Sequence, residues 1–157
     1  MRDCFYYIKQ ILSILFGSNK QKSYICNKKE IDHDILTGRY YRSIRCSFFE
    51  LLSRYLSNCY TFAIEQNLPS GRADLVLTGI PGTSFHNDCR IIEFKYFKSK
   101  DTGIVDHLEE ARLEDGKQVK AYAADMQKAY PHYQIKAYVA YIAGNKACKI
   151  FKVNSND

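Results

Sequence analysis

The sequence predicts an α/β fold: a mixed central sheet flanked by helices, with an extra helix at the N-terminus. Three observations carry that expectation. Short runs rich in β-branched, aromatic and leucine residues occur at 59–64, 71–78 and 90–95, each bounded by turn residues. A helix-spaced apolar stripe follows them, made of Val119, Tyr122, Ala123, Met126 and Tyr130. Two more strand-like runs, at 134–143 and 147–153, come after Pro131.

Taken in order, residues 1–17 read as a short amphipathic helix, with Phe5, Ile8, Leu12 and Leu15 at helical spacing and Gly17 at its end. The expectation is that it packs on the domain or on a partner, with a membrane-surface role as the lesser alternative. Residues 18–30 are polar and lysine-rich and read as a linker, so 1–37 form an N-terminal helix plus basic linker and 38–157 form the domain. Residues 39–58 read as a long helix whose stripe is Ile44, Phe48, Leu51, Leu52 and Tyr55, which leaves Glu50 facing water. The first strand covers 59–64 and ends at Glu65. The second covers 71–78, with Asp74 at the entrance to an apolar segment. The loop at 79–89 holds Gly79, Pro81 and Gly82, and makes the second and third strands antiparallel neighbours. Residues 98–106 read as a mobile connection, and 105–130 as a helical region with a break at Gly116. The strand at 134–143 puts Ile135, Ala137, Val139 and Tyr141 on one face. Gly144 and Asn145 then turn into a last strand at 147–153.

The chemistry gathers at 90–95, RIIEFK. Side chains alternate along a strand, so Ile91, Glu93 and Lys95 share one face while Ile92 and Phe94 share the other. A carboxylate and an ammonium inside an apolar run are costly to bury unless something binds them. A structural salt bridge is one answer and a metal-and-substrate site is the other. Antiparallel pairing would bring Asp74 beside Glu93. The two carboxylates and the Phe94 carbonyl would then make an oxygen-rich site for a hard cation such as Mg²⁺, with Lys95 pointing at the same spot. Gln118 and Tyr122 are four residues apart and lie on one side of the later helix. Arg72 reads either as a phosphate contact or as a structural partner of Glu65 or Asp74.

Asp74, then Glu93-Phe94-Lys95, then Gln118-Val119-Lys120-Ala121-Tyr122 resembles the D…ExK…QxxxY signature of the PD-(D/E)XK nuclease superfamily. The wider run, from Tyr40-Tyr41-Arg42-Ser43 through Glu65 and Gly71-Arg72-Ala73-Asp74 to Ile91-Ile92-Glu93-Phe94-Lys95, is similar to the nuclease-like domain attached to bacterial AAA-ATPase-like proteins. Ala73 stands where the signature has proline. The resemblance implies a restriction-endonuclease-like αβββαβ core. It also implies a Mg²⁺- or Mn²⁺-dependent nuclease acting on DNA or RNA, with DNA the first choice. Asp74, Glu93, Lys95 and Gln118 would be catalytic. Asp74, Glu93 and the Phe94 carbonyl would hold the metal, Tyr122 and Arg72 would meet substrate, and Glu65 would stand behind the metal ligands. A homodimer and an ATPase partner are left open. Rival readings are a nucleic-acid-binding module without turnover and a protein-interaction domain.

The chain has 157 residues, enough for one core, with 46% hydrophobic and 25% charged residues, so disorder is excluded as the expectation. Its net charge of +6 is compatible with a nucleic-acid partner. The six cysteines form no CxxC pair and the four histidines are isolated. A zinc site and a Ser-His-Asp or Cys-His arrangement are therefore not expected, and a reduced cytoplasmic protein is. The apolar part of the N-terminus is too short to span a bilayer.

Overall fold

A computed structural model of the chain describes residues 24–25, 48–50, 52–143 and 147–154. The expected N-terminal helix lies outside them, as do most of the basic linker and the first half of the 39–58 helix. Among the described residues the helix at 48–50 and 52–56 (α1) is followed by β2 (Tyr60–Leu68), β3 (Gly71–Gly79) and β4 (Asp88–Phe97). A 3-10 turn at Ser99–Asp101 leads into α2 (Thr102–Asp106), α3 (Leu113–Ala129), β5 (Gln134–Ala143) and β6 (Ala147–Val153). A two-residue strand β1, Tyr24–Ile25, precedes them all. It pairs antiparallel with β6 at the sheet edge, so part of the presumed linker is sheet.

The six strands run in the order β1-β6-β5-β4-β3-β2. The β2–β3–β4 meander is antiparallel, β5 joins β4 in parallel, and β6 turns back antiparallel on β5. The parallel step needs a crossover, which α2 and α3 supply. β4 lies between β3 and β5 and is buried on both faces from Asp88 to Phe94, as an inner strand bordered by a parallel neighbour should be.

Alternation sorts its side chains as expected. Ile92 and Phe94 join Leu75, Leu77, Tyr138 and Leu52 in a core beneath α1, where the Phe48 and Phe94 rings meet edge-on at 4.8 Å. Ile91 joins Ala73, Val76, Tyr122 and Met126 in a core beneath α3. A third cluster continues that layer through Val105, Val119, Val139 and Tyr141. The result is a sheet between helical layers, an α/β fold with the expected mixed sheet.

Several local expectations are corrected. β2 does not stop at Ile64 but runs to Leu68, and Glu65 passes through it with φ of 53°. The connection after β4 is folded, because Val105 of α2 is fully buried in the α3-side core. α3 runs unbroken through Gly116, and the break comes earlier, between Asp106 and Leu113. Tyr55 and Tyr130, assigned to apolar stripes, are exposed. Glu50 faces solvent, paired with Arg54 one turn on.

The N-terminal end of β4 is held by a buried carboxylate. Asp88 accepts hydrogen bonds from the Tyr60 hydroxyl at 2.6 Å, from Arg90 Nε and from Lys136 Nζ. Burial works to raise its pKa, but these three donors outweigh it and hold the carboxyl below the ordinary 3.8. A lowered folded pKa stabilises the fold above the unfolded value, and that contribution is lost as pH falls through the folded value. Asp88→Ala would also leave the buried Arg90 without its carboxylate. We expect a loss of about 3–5 kcal/mol in urea unfolding at neutral pH. The gap to wild type should narrow under acid conditions, below 3.8.

Candidate active site

The site forms where two strands part. β3 and β4 pair from Thr78 opposite Cys89 to Leu75 opposite Ile92, and the ladder ends there. The next pair in that register would be Asp74 opposite Glu93. Past it, β4 keeps its parallel ladder with β5 as far as Phe97 while β3 turns away. At such a fork backbone groups lose their ladder partners and need substitutes. The two acids provide them. Asp74 Oδ2 accepts the Phe94 N–H at 2.9 Å, and Glu93 Oε2 faces the Asp74 N–H at 3.4 Å.

The β2–β3 ladder is interrupted at the same level, with no register pair between Ile64–Leu75 and Gln66–Ala73. Across the interruption the faces change phase. Leu75 and Leu77 point to the α1 core, whereas Ala73, two residues earlier, points to the α3 core. Asp74 alternates with Val76 and Glu93 with Ile91, so ordinary alternation puts both acids under α3, and the irregularity moves only Ala73 to that side.

Both acids are nearly sealed, at 7% and 5% exposure. Removal from water, and next the charge of Asp74, push the Glu93 pKa above its ordinary 4.5, and Lys95 only partly offsets this. Lys95 Nζ lies 3.4 Å from Glu93 Oε1 and donates to Gln118 Oε1 at 2.8 Å. The Gln118 amide nitrogen donates to Glu93 Oε1 at 3.1 Å and to the Tyr122 hydroxyl at 2.7 Å. Each end of the amide therefore meets a group of matching polarity. Lys95 is more open than Glu93, with 24% of its side chain exposed against 7%.

Tyr122 is buried and backs onto Gly71. A Cβ at Gly71 would stand 3.0 Å from the tyrosine oxygen, and the glycine's φ of +146° is one that L side chains rarely adopt. The phenol thus faces Gln118 in a closed position, and it orients that amide.

The remaining candidates are Arg72, Glu65 and Phe94. Arg72 pairs with Glu65 at 3.5 Å while its side chain stays 58% exposed to solvent. Phe94 places its ring in the α1 core and its amide on Asp74. Sequence reasoning missed Asp115, one turn before Gln118, whose Oδ1 is 3.4 Å from Lys95 Nζ. Nothing in its neighbourhood along the chain marks it, because the contact depends on how α3 docks.

No group of three or more His, Cys, Asp and Glu side chains suited to a metal is found among the described residues. The donor set brought together here is the two carboxylates of Asp74 and Glu93. It fits a hard divalent cation that keeps part of its water shell, and a crowded, desolvated pair of acids is short of positive charge. No described helix is long and apolar enough to cross a membrane.

No curated protein matches the chain. Residues 39–152 match the family model for the PD-(D/E)XK nuclease superfamily, a segment that contains both acids, Lys95, Gln118 and the sheet from β2 almost to the end of β6. With most of its length matched and its acids and lysine meeting at the strand fork, the chain belongs to the PD-(D/E)XK nuclease superfamily.

Proposed function

We propose that the protein is a divalent-metal-dependent nuclease that hydrolyses phosphodiester bonds of DNA. The observation that carries this reading is the meeting of Asp74, Glu93 and Lys95. The lysine amine lies 3.4 Å from Glu93, and Glu93 in turn lies 3.4 Å from the Asp74 amide, with the partly exposed lysine beside a buried acid pair. Asp74, Glu93 and the Phe94 carbonyl hold Mg²⁺ or Mn²⁺. Bound there, the cation supplies charge neutralisation at the phosphate and activation of a water.

The protein's own groups do the rest. Lys95 presents its ammonium to the phosphate oxygens and stabilises charge that grows as the bond to phosphorus forms. Gln118 fixes Lys95, and Tyr122 fixes Gln118, so a flexible amine is held in one place before substrate arrives. Arg72, exposed and outside the closed group, meets the nucleic-acid backbone, with Glu65 steadying it. The net charge of +6 favours a polyanionic substrate.

The test uses supercoiled plasmid, single-stranded DNA and single-stranded RNA, each with Mg²⁺ or Mn²⁺ and with EDTA. Wild type should cut DNA only with the metal, and Asp74→Asn and Lys95→Ala should be folded and silent. Folded variants that cut as well as wild type would remove the assignment. Salt-sensitive gel-shift binding in EDTA without cleavage under either metal would mean a binding module instead.

A further inference from the structure

The α3 face that carries Gln118 and Tyr122 begins one turn earlier, at Asp115. Positions 115, 118 and 122 fall within about 60° of one another around a helix. Asp115 sits in the first turn of α3, and its side chain is largely enclosed, at 18% exposure. Its Oδ2 accepts a hydrogen bond of 2.7 Å from the Tyr141 hydroxyl, and the Tyr141 oxygen accepts the Arg112 N–H at 2.8 Å. Since the backbone N–H occupies the acceptor side of the phenol, the phenolic proton is directed at the carboxylate. Tyr141 itself cannot swing. It is fully buried on β5, edge-on to Phe151 at 5.8 Å and tilted against Phe97 at 6.2 Å.

One oxygen of Asp115 is thereby clamped, and the other is presented to Lys95 Nζ at 3.4 Å. The ammonium then has three oxygens around it: it donates hydrogen bonds to Gln118 Oε1 at 2.8 Å and Glu93 Oε1 at 3.4 Å, and it forms an ion pair with Asp115 Oδ1 at 3.4 Å. A lysine loses much rotamer freedom when fixed, so an amine on a flexible stem needs such a tripod to stay put. Asp115 does not join the acid pair as a third metal ligand, because no three such side chains come together among the described residues.

We propose that Asp115, clamped by the buried Tyr141 hydroxyl, is a positioning residue that holds the Lys95 ammonium against Glu93 and Gln118. This rests on the nuclease reading of the same site. It adds a pair, Asp115 and Tyr141, that reaches the chemistry only through Lys95.

The experiment compares the full chain as wild type, Asp115→Asn and Tyr141→Phe. The readout that does not need activity is nitrogen-detected NMR of the lysine side-chain NH₃⁺ groups. Lys95 is assigned by loss of its signal in Lys95→Arg. In wild type the Lys95 ammonium should be more restrained than the surface lysines. In Asp115→Asn its order should fall to theirs, and in Tyr141→Phe it should fall part of the way. With plasmid and Mg²⁺, kcat should drop about tenfold or more in Asp115→Asn, with KM and calorimetric Mn²⁺ affinity unchanged. An equally ordered ammonium in both variants overturns the proposal, as does Mn²⁺ affinity that falls together with kcat. If wild type cuts nothing, the nuclease reading fails, while the NMR comparison still decides whether Asp115 holds the lysine. Should Asp115→Asn not fold, Tyr141→Phe carries the same decision alone.

Discussion

Glu93→Gln is expected to lower DNA cleavage by about 10³-fold or more, equivalent to about 4 kcal/mol of lost transition-state stabilisation, without destabilising the protein. On the proposed mechanism cleavage is lost because one of the two negative charges assigned to the metal is gone. Stability survives for a different reason. Glu93 is desolvated and stands against a second carboxylate, and together these raise its pKa despite Lys95. An acid whose folded pKa is raised adds stability below its unfolded value, near 4.5, and that stability is lost as pH rises through the folded value. At a pH above that folded value the metal-free wild type has lost it, while the neutral glutamine has nothing to lose. The hydrogen bonds from Gln118 and Lys95 are disturbed by the change, at a cost of about 1–2 kcal/mol that offsets the relief. Thermal unfolding in EDTA should therefore place the variant within a few degrees of wild type at a pH above the folded value. On acidification wild type gains relative to the variant. A variant that unfolds at room temperature would show that Glu93 is a structural ion-pair partner instead.

Gly79→Ala is expected to cost about 4 kcal/mol or more and to prevent a stable fold, although Gly79 touches no substrate. An added Cβ would stand 1.6 Å from the Phe85 carbonyl oxygen and 2.6 Å from its carbon, so main chain meets main chain and no rotamer relieves it. The loop cannot step aside cheaply. The Phe85 carbonyl accepts the Asp88 N–H at 2.8 Å, the Phe85 ring packs 5.2 Å from Tyr60, and Asn87 accepts the Gln134 N–H at 2.6 Å. Moving the loop would pull on Asp88 and through it on the start of β4. Gly82→Ala in the same loop is the control. Its φ of +84° strains an alanine, but nothing lies within 4 Å of the new methyl, so a loss of only about 1 kcal/mol is expected in urea unfolding. Similar losses in the two variants would show that the loop yields.

What the sequence made legible follows from how local each signal is. β5 and β6 match the expected runs residue for residue, because their apolar pattern is dense and a proline and a turn bound them. The meeting of Asp74 with Glu93 was readable because alternation and a short loop determine it together. The end of β2 was not. Gln66 and Asn67 look like loop, yet they pair with Ala73 and Arg72 across a sheet edge that tolerates polar residues. α2 was hidden in a polar stretch because one residue, Val105, anchors it. Gly116 suggested a break, but glycine only weakens a helix, and here packing decides. Asp115 was out of reach, since its meaning comes from Tyr141, 26 positions away, and from Lys95 on another strand. Tyr141 was read only as sharing a strand face with Ile135, Ala137 and Val139. It is core, and its hydroxyl is also a clamp.

The central claim is that Asp74 and Glu93 jointly hold one divalent ion beside Lys95. Calorimetric titration of Mn²⁺ into the full chain above neutral pH tests it without any substrate. The expected result is a single site with Kd below about 1 mM, weakened at least about tenfold in both Asp74→Asn and Glu93→Gln and unchanged in Lys95→Arg. Identical titrations for wild type and the two acid variants would contradict it.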